Sequence, residues 1–463
     1  MINVIVEMSK YVILTLMVIY TFYCFFLVRQ QKEYEKRESL FKQILLIFFM
    51  DFTAFLVLYL KTRDIRILLF YAEMMAYFAA VQILYRIFYK KASYLLMNNM
   101  CMLMSVGFIM LCRLDLTSAT RQLMIVAGST AVSMVVPVII RKTRFFRKLT
   151  WLYAGVGIVV LLAVLVLART SFGAKLSLFG MQPSEVIKIT FVFFAASLLS
   201  GKLTIAKLIQ ATAVAGAHVL ILVASRDLGS ALIFFVTYLV MVYVATRRLS
   251  ILGIGLLGGA AASVGAYFMF GHVRQRVVAW RDPMAVYENE GYQIAQSLFA
   301  IGTGGWFGMG LLQGSPEKIP VVTKDFIFSA ICEELGSIFG ICLILVCMSF
   351  FLMIVNIALK LENPFYKLVA LGLGCEYAFQ VFLTVGGVTK FIPLTGVTLP
   401  LVSYGGSSCM STILVLSVIQ GLYIRREDEG IQIEKLRKEA AKRNRRGKEE
   451  EGADLYEAAP KQK

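Results

Sequence analysis

Residues 151–168 read WLYAGVGIVVLLAVLVLA, a stretch without a single charged side chain. About 20 apolar residues in a helix cross the roughly 30 Å hydrocarbon core of a bilayer. Comparable runs recur on both sides, from residues 11–28 near the start to residues 398–424 near the end. A segment that spans a bilayer has to satisfy its own backbone hydrogen bonds, which a helix does. The sequence therefore predicts an all-α polytopic membrane protein of about thirteen transmembrane helices.

The composition fits this class and excludes others. The 463 residues are 59% hydrophobic and only 16% charged, which is too apolar for the surface of a soluble protein. The formal net charge of +18 could suggest nucleic acid, but Lys and Arg form short clusters between apolar runs, so no nucleic-acid partner is predicted. The eight Cys form no CxxC pair, so they are predicted to be small buried hydrophobic residues. Two His are too few for a His-based metal site.

Basic residues mark alternate loops of the predicted bundle. Clusters lie at residues 29–42, 90–91, 141–148, 202–207, 247–248 and 360–367, and in the tail from residue 425. Placing all of them in the cytoplasm puts the C-terminus inside and the N-terminus outside. The topology predicts a multi-pass protein of the cytoplasmic membrane with one large extracytoplasmic loop, at about residues 271–325.

Three domains are expected from the distribution of residue types. Residues 1–91 form three aromatic-rich transmembrane helices that differ from the rest and are predicted to be an added N-terminal module. Residues 92–424 form a transmembrane core that carries the large loop. Residues 425–463 are a charged cytoplasmic tail, whose basic residues near the membrane could contact anionic lipid.

Two short stretches place ionisable residues at membrane depth, where each costs at least ~2.5 kcal/mol at the helix centre unless it is paired or hydrated. Glu185 and Lys188 are three positions apart on a helix predicted to start at Pro183, so they share a face. They form either a structural ion pair or part of a polar cavity. Asp227 either caps the next helix or, with Arg226, faces an anionic headgroup.

A third stretch begins at Asp325, where the large loop re-enters the membrane within a span predicted at residues 327–357. Burial would raise the pKa of this carboxyl towards the range of a general base, whereas Lys324 beside it would lower the pKa. The sequence leaves this balance open. Glu333 and Glu334 lie about two turns deeper, so at least one of them should face protein or water.

The large loop and the last span carry features of an anion site. Arg274 and Arg276 offer forked donors suited to phosphate oxygens, and glycines at residues 302–314 allow close backbone approach, although transporters use similar loops. Residues 393–408 interrupt a span predicted at 398–424 with two prolines, which predicts a cavity wall. The residues alone predict a multi-span protein with a polar outward cavity for an anionic ligand.

Taken together, these stretches resemble the SEDS family of cell-shape, division and sporulation proteins, RodA, FtsW and SpoVE. The resemblance covers about residues 94–424, which would be the family's ten-helix core with three extra helices before it. It rests on Gln182-Pro183-Ser184-Glu185 with Lys188, Asp227-Leu228-Gly229, Arg276 with Asp282-Pro283, Gly291-Tyr292-Gln293 with Gln296-Ser297, Asp325-Phe326-Ile327-Phe328 with Glu333-Glu334-Leu335-Gly336, and Thr398-Leu399-Pro400 with Ser403-Tyr404-Gly405-Gly406-Ser407-Ser408.

The resemblance implies a peptidoglycan glycosyltransferase. Such an enzyme polymerises lipid II, the undecaprenyl-diphosphate-linked disaccharide pentapeptide, at the outer face of the bacterial cytoplasmic membrane during elongation, division or sporulation. The family's essential loop aspartate matches Asp325, which would be the catalytic base. A divalent cation, Mg²⁺ or Mn²⁺, would assist the departure of the diphosphate. The residues expected to bind substrate are Arg276, Arg274, Lys324, Glu185, Lys188, Asp227, Gln293 and Ser403.

The residues before Asp325 differ from the family pattern, and two other functions are compatible with the sequence. Many members carry His-Thr before the loop aspartate, whereas this chain has Thr323-Lys324, which puts a histidine proton relay in doubt. The family implies a class B penicillin-binding protein, a transpeptidase, as partner. The alternatives are a lipid II flippase or other transporter, whose essential acids should lie at the midplane, and a scaffold for the transpeptidase, in which Asp325 should be dispensable.

Overall fold

The computed structural model describes residues 2–30, 32–143, 145–168, 170–171, 174–175, 181–289 and 291–457. Within these ranges the chain forms seventeen α-helices and one small hairpin of strands β1 (Thr170–Ser171) and β2 (Ala174–Lys175). Twelve helices in the described part are long and apolar enough to cross a membrane. The predicted all-α membrane class is therefore confirmed.

The helices follow one another with short connections. The N-terminal module holds α1 (Ile2–Arg29), α2 (Glu33–Thr62) and α3 (Ile65–Phe88). The first half of the core holds α4 (Tyr94–Leu114), α5 (Leu116–Ser133), α6 (Val136–Lys142), α7 (Thr150–Leu167), α8 (Pro183–Leu199), α9 (Ile205–Ala224), α10 (Leu228–Thr246) and α11 (Leu249–Met269). The large loop and the second half hold α12 (Gly271–Arg281), α13 (Tyr292–Gly304), α14 (Ile327–Leu335), α15 (Ser337–Lys360), α16 (Pro364–Val388) and α17 (Gly406–Glu457).

Helix α4 lies at the centre of the bundle. Every residue from 95 to 112 is buried, including the polar residues Asn98, Asn99 and Ser105, so the helix is enclosed by protein on all sides. Its 21 residues separate Lys91 from Arg113 by roughly 30 Å of helix. We call the end near Arg113, which contacts Gly314 and Glu317 of the large loop, the loop end, and the end near Lys91 the basic end.

The N-terminal module packs on the core through both apolar and polar side chains. Helix α1 packs on α2 and α15, and α2 packs on α4. At the junction, the Tyr20 hydroxyl donates to Asn99 Oδ1 at 2.9 Å, and Asn98 Nδ2 donates to Gln43 Oε1 at 3.0 Å. Polar groups buried away from water are costly unless they are hydrogen-bonded, so these pairs favour one docked arrangement.

Two predicted spans differ from the observed helices. The span predicted at 327–357 is broken at Gly336, whose φ of +93° separates α14 from α15. The span predicted at 398–424 begins only at α17, because the preceding segment forms turns after the prolines. Helix α17 continues past the membrane, and Asp428 pairs with Lys91 and Arg141 at 2.6 Å each at the basic end.

Candidate functional site

Asp325 and Arg276 both lie beside Gly396 at the loop end, in the irregular segment between α16 and α17. Arg276, on α12, donates from Nη1 to the Thr395 carbonyl at 3.0 Å. Gly396 has a φ of +75°, and the Cβ that it lacks would lie 3.7 Å from Asp325 Oδ2 and 3.8 Å from Arg276 Nη2. Glycine is the residue suited to this backbone conformation, and its missing side chain leaves space between the carboxylate and the guanidinium.

The backbone immediately before Asp325 is fixed by the turn that precedes α17. Buried Ser403 donates its hydroxyl to the Lys324 carbonyl at 2.5 Å and accepts from the Leu399 amide at 2.9 Å. The Tyr404 amide donates to the Thr323 carbonyl at 2.8 Å. Ser403 therefore acts on the position of Asp325 through the main chain, while its role in binding substrate stays a prediction.

Burial decides the balance that the sequence left open at Asp325. Burial raises the pKa of this carboxyl above its ordinary value, and Lys324 and Arg276 oppose the rise without cancelling it. Burial lowers the pKa of Arg276 below its ordinary value, although Asp325 and Asp227 act in the opposite direction. An acid with a raised pKa beside two cations is suited to accept a proton from a hydroxyl group near neutral pH.

Asp227 ties the starts of two helices together behind this site. It caps α10 by accepting from the Ser230 amide at 3.1 Å, and it accepts from the Ser184 hydroxyl of α8 at the same distance. The capping role is thus observed, and its contact with substrate stays a prediction. A side chain at Gly229 would meet Val397 Cγ2 at 2.3 Å, so α10 packs closely behind the segment that binds Arg276.

Glu185 and Lys188 form a buried ion pair deeper in the bundle. Lys188 Nζ lies 2.7 Å from Glu185 Oε2 and donates to Gln380 Oε1 at 2.8 Å, and the Ser411 hydroxyl donates to Glu185 at 3.0 Å. Gln380 in turn donates to the Thr398 carbonyl at 3.0 Å. The pair is enclosed by protein and joined to the segment that leads to Ser403. Gln380 was missed, although an amide inside an apolar span is itself a signal.

Arg113 is a second residue that the sequence analysis missed. Its Nε donates to fully buried Glu334 at 2.8 Å, and its Nη2 donates to the Gly314 carbonyl at 3.2 Å. Glu333 accepts from the Ser315 amide at 2.8 Å. Both glutamates face protein, as expected for at least one of them. The signal for Arg113 was a lone cation at the end of an apolar span.

Comparisons with known proteins show the family of this chain. Residues 88–427 match the family model of the FtsW, RodA and SpoVE cell cycle proteins. This chain belongs to that family. Among its relatives, the peptidoglycan glycosyltransferase RodA of Mycobacterium tuberculosis is 35% identical over 362 residues, covering 70% of this chain and 76% of the relative. Stage V sporulation protein E of Bacillus subtilis is 35% identical over 252 residues, covering 52% of this chain and 68% of the relative.

Solved structures share the fold of this protein. A chain of a peptidoglycan synthase complex, described as coordinating polymerization and crosslinking, matches with a TM-score of 0.61 and 23% identity, over 73% of this chain and 98% of that one. The rod shape determining protein RodA of Thermus thermophilus matches with a TM-score of 0.56 and 22% identity, over 72% and 97%. Both likenesses support the ten-helix core, which α1–α3 precede.

In this family member the glycine-rich part of the loop has a structural use. The amides of Met309 and Gly310 donate to the carbonyls of Glu333 and Glu334 at 2.9 and 2.8 Å, and the Ser337 amide donates to the Gly305 carbonyl at 2.9 Å. This pairing satisfies backbone groups at the break between α14 and α15. The amides of Met309 and Gly310 are therefore already bonded within the protein, while close approach of the rest of this run to a ligand stays a prediction.

Two predicted substrate residues lie apart from Asp325. Exposed Arg274 donates to the Phe268 carbonyl at 3.4 Å and lies over the Tyr267 ring at 5.8 Å, towards α11. Gln293 is half-buried in the first turn of α13, and no hydrogen bond in the described part of the chain joins it to Asp325 or Arg276. Their roles in binding substrate stay predictions.

The residues around Asp325 limit how a divalent cation could bind. Within the described ranges no group of three or more His, Cys, Asp and Glu side chains is placed to hold a metal ion. Mg²⁺ often binds through only one or two carboxylates together with substrate phosphates. A single carboxylate such as Asp325 suits that mode, and a divalent cation here stays a prediction.

Proposed function

We propose that this protein is a peptidoglycan glycosyltransferase that polymerises lipid II, with Asp325 as its catalytic base. The observation that carries the proposal is a carboxyl group with a raised pKa held beside Arg276 at Gly396. Asp325 accepts the proton of the acceptor sugar hydroxyl while its oxygen bonds to the anomeric carbon of the donor. The bond from that carbon to the lipid diphosphate breaks, and the diphosphate leaves with the electron pair.

Cations around Asp325 stabilise the lipid diphosphate as it leaves. Arg276, anchored on the Thr395 carbonyl, and exposed Lys324 supply positive charge where negative charge develops on the diphosphate. A divalent cation, Mg²⁺ or Mn²⁺, would add charge there through the phosphates. Glu185, Lys188 and Asp227 would support the cavity from below rather than take part in bond breaking.

The basic residues give the orientation in the membrane. The loop end faces the outside and the basic end faces the cytoplasm, because the basic residues at Lys91 and Arg141 follow the positive-inside pattern. A class B penicillin-binding protein would cross-link the strands made here. One chain of a peptidoglycan synthase complex has the same fold, and that complex is described as coordinating polymerization and crosslinking, which supports this partner.

The test is glycan synthesis by the purified protein together with its transpeptidase, labelled lipid II and Mg²⁺ or Mn²⁺. We expect polymer from the wild type and several-fold less from Arg276→Ala at limiting lipid II, since this change removes a cation from the leaving group. The control Arg121→Ala changes an exposed arginine and should match the wild type. Lipid II translocation in proteoliposomes without polymer would favour a flippase, and neither activity would favour a scaffold.

A further inference from the structure

Glu376, in the middle of α16, is a buried acid that the proposed reaction does not use. Its side chain is 1% exposed, and neither carboxylate oxygen has a hydrogen-bond partner in the described part of the chain. A charged carboxylate without hydrogen-bond donors is strongly disfavoured at such a site, because burial removes the water that would solvate it.

The surroundings of Glu376 contain one cation and a second acid. A small cavity of about 10 Å³, room for about one water molecule, is lined by Lys188, Leu373, Glu376, Tyr377, Gln380, Thr412 and Val415. Among the charged residues that line this cavity, Lys188 is the cation, and its ion-pair partner Glu185 is the second acid nearby. Two carboxyl groups therefore face one ammonium group.

The ammonium group already has its partners. Lys188 lies 2.7 Å from Glu185 and 2.8 Å from the Gln380 side-chain oxygen, and Glu185 also accepts from Ser411. Glu185 is thus stabilised as an anion by two donors, while Glu376 has none. If both acids were ionised, the enclosed cluster would carry a net negative charge. The arrangement favours one proton on Glu376.

We propose that Glu376 is an intramembrane proton-binding site that shares Lys188 with Glu185. Glu376 holds a proton while Lys188 pairs with Glu185, and it ionises when Lys188 turns to it across the cavity. Gln380, which contacts Lys188, also bonds to the Thr398 carbonyl and to the Ser408 hydroxyl at 3.2 Å. Exchange of the lysine would therefore disturb the segment that fixes the backbone before Asp325.

Infrared spectroscopy of the purified protein tests the proton directly, because the carbonyl stretch of a protonated acid is distinct from that of a carboxylate. We expect a protonated-acid band in the wild type that is absent from Glu376→Gln and unchanged in Glu73→Gln, which alters an exposed acid of α3. If the wild type has no band that depends on Glu376, the proposal is wrong.

The sharing of Lys188 predicts a second result. In Glu185→Gln the freed lysine should pair with Glu376, so the Glu376 band should disappear; a band of unchanged intensity would overturn the exchange. If Glu185→Gln does not fold, Lys188→Met serves instead. That variant should keep the Glu376 band and gain one from Glu185, and loss of the Glu376 band there would contradict the proposal. These readouts do not depend on polymerisation and stand or fall separately from the proposed enzyme activity.

Discussion

Ser403 and Lys324 lie 79 positions apart in sequence, yet the Ser403 hydroxyl donates to the Lys324 carbonyl at 2.5 Å. This bond joins the turn before α17 to the backbone that carries Asp325. Ser403 also accepts from the Leu399 amide, so one buried hydroxyl serves two main-chain groups. The position of the proposed base thus depends on a residue outside the large loop.

Removing that hydroxyl should loosen the site. In Ser403→Ala the buried Leu399 amide loses its partner, which costs about 1–3 kcal/mol by the usual penalty for a buried unsatisfied group, and the partly buried Lys324 carbonyl loses its partner as well. We expect a lower melting temperature and a slower rate of polymerisation. The control is Ser200→Ala, since the buried Ser200 hydroxyl has no hydrogen-bond partner in the described structure. Equal behaviour of the two variants would argue against the role of Ser403.

Lys324 should set the pH dependence of the reaction. As a base, Asp325 works only when it is deprotonated, so the rate should rise with pH through its raised pKa. Lys324 lowers that pKa. Lys324→Met should therefore raise the pKa further and move the acidic limb of the rate profile to higher pH. Lys318→Met, at an exposed lysine of the same loop, should leave the limb in place; a shift to lower pH in Lys324→Met would contradict this account.

Arg113 should be needed for the stability of the loop end. Removing one partner of a buried ion pair typically destabilises by about 3–5 kcal/mol, because the other charge is left without compensation. Arg113→Met should therefore lower the melting temperature strongly. The double variant with Glu334→Gln should recover part of the loss, since the buried position is then neutral. No recovery in the double variant would show that Arg113 acts through another contact.

Helix α1 should hold the large loop in place. Lys10 donates to the Gly308 carbonyl at 3.3 Å, and the Tyr11 ring lies 5.9 Å from the Phe307 ring. An aromatic pair contributes about 0.5–1.5 kcal/mol, so Tyr11→Ala should speed amide hydrogen exchange of this segment by roughly 2- to 10-fold. Phe22→Ala, at an exposed ring of the same helix, is the control. Equal exchange in both variants would mean that α1 leaves the loop unaffected.

The sequence predicted the membrane class, the approximate helices and the acid at the centre of the site, because apolar runs and charged residues within them are local signals. It did not predict which residues pair, since Arg113 and Glu334 are 221 positions apart. The break at Gly336 was also missed, because a single glycine can lie inside a helix without interrupting it.

Helical geometry explains why two arginines of the loop have different surroundings. Residues two apart on a helix, such as Arg274 and Arg276, point to different sides. Arg276 faces Thr395, whereas Arg274 faces Tyr267. Recognising α12 as a helix in advance would have separated them. The use of the glycine amides depends on the tertiary pairing at Gly336 and could not be read from local sequence.

The most direct test of the account is glycan polymerisation from labelled lipid II by the wild type and by Asp325→Ala, each with the transpeptidase and a divalent cation. Melting temperatures of both proteins confirm that they are equally folded. The account predicts polymer from the wild type and none from Asp325→Ala. Polymer from Asp325→Ala at the wild-type rate would leave the activity standing but contradict the assignment of Asp325 as the base.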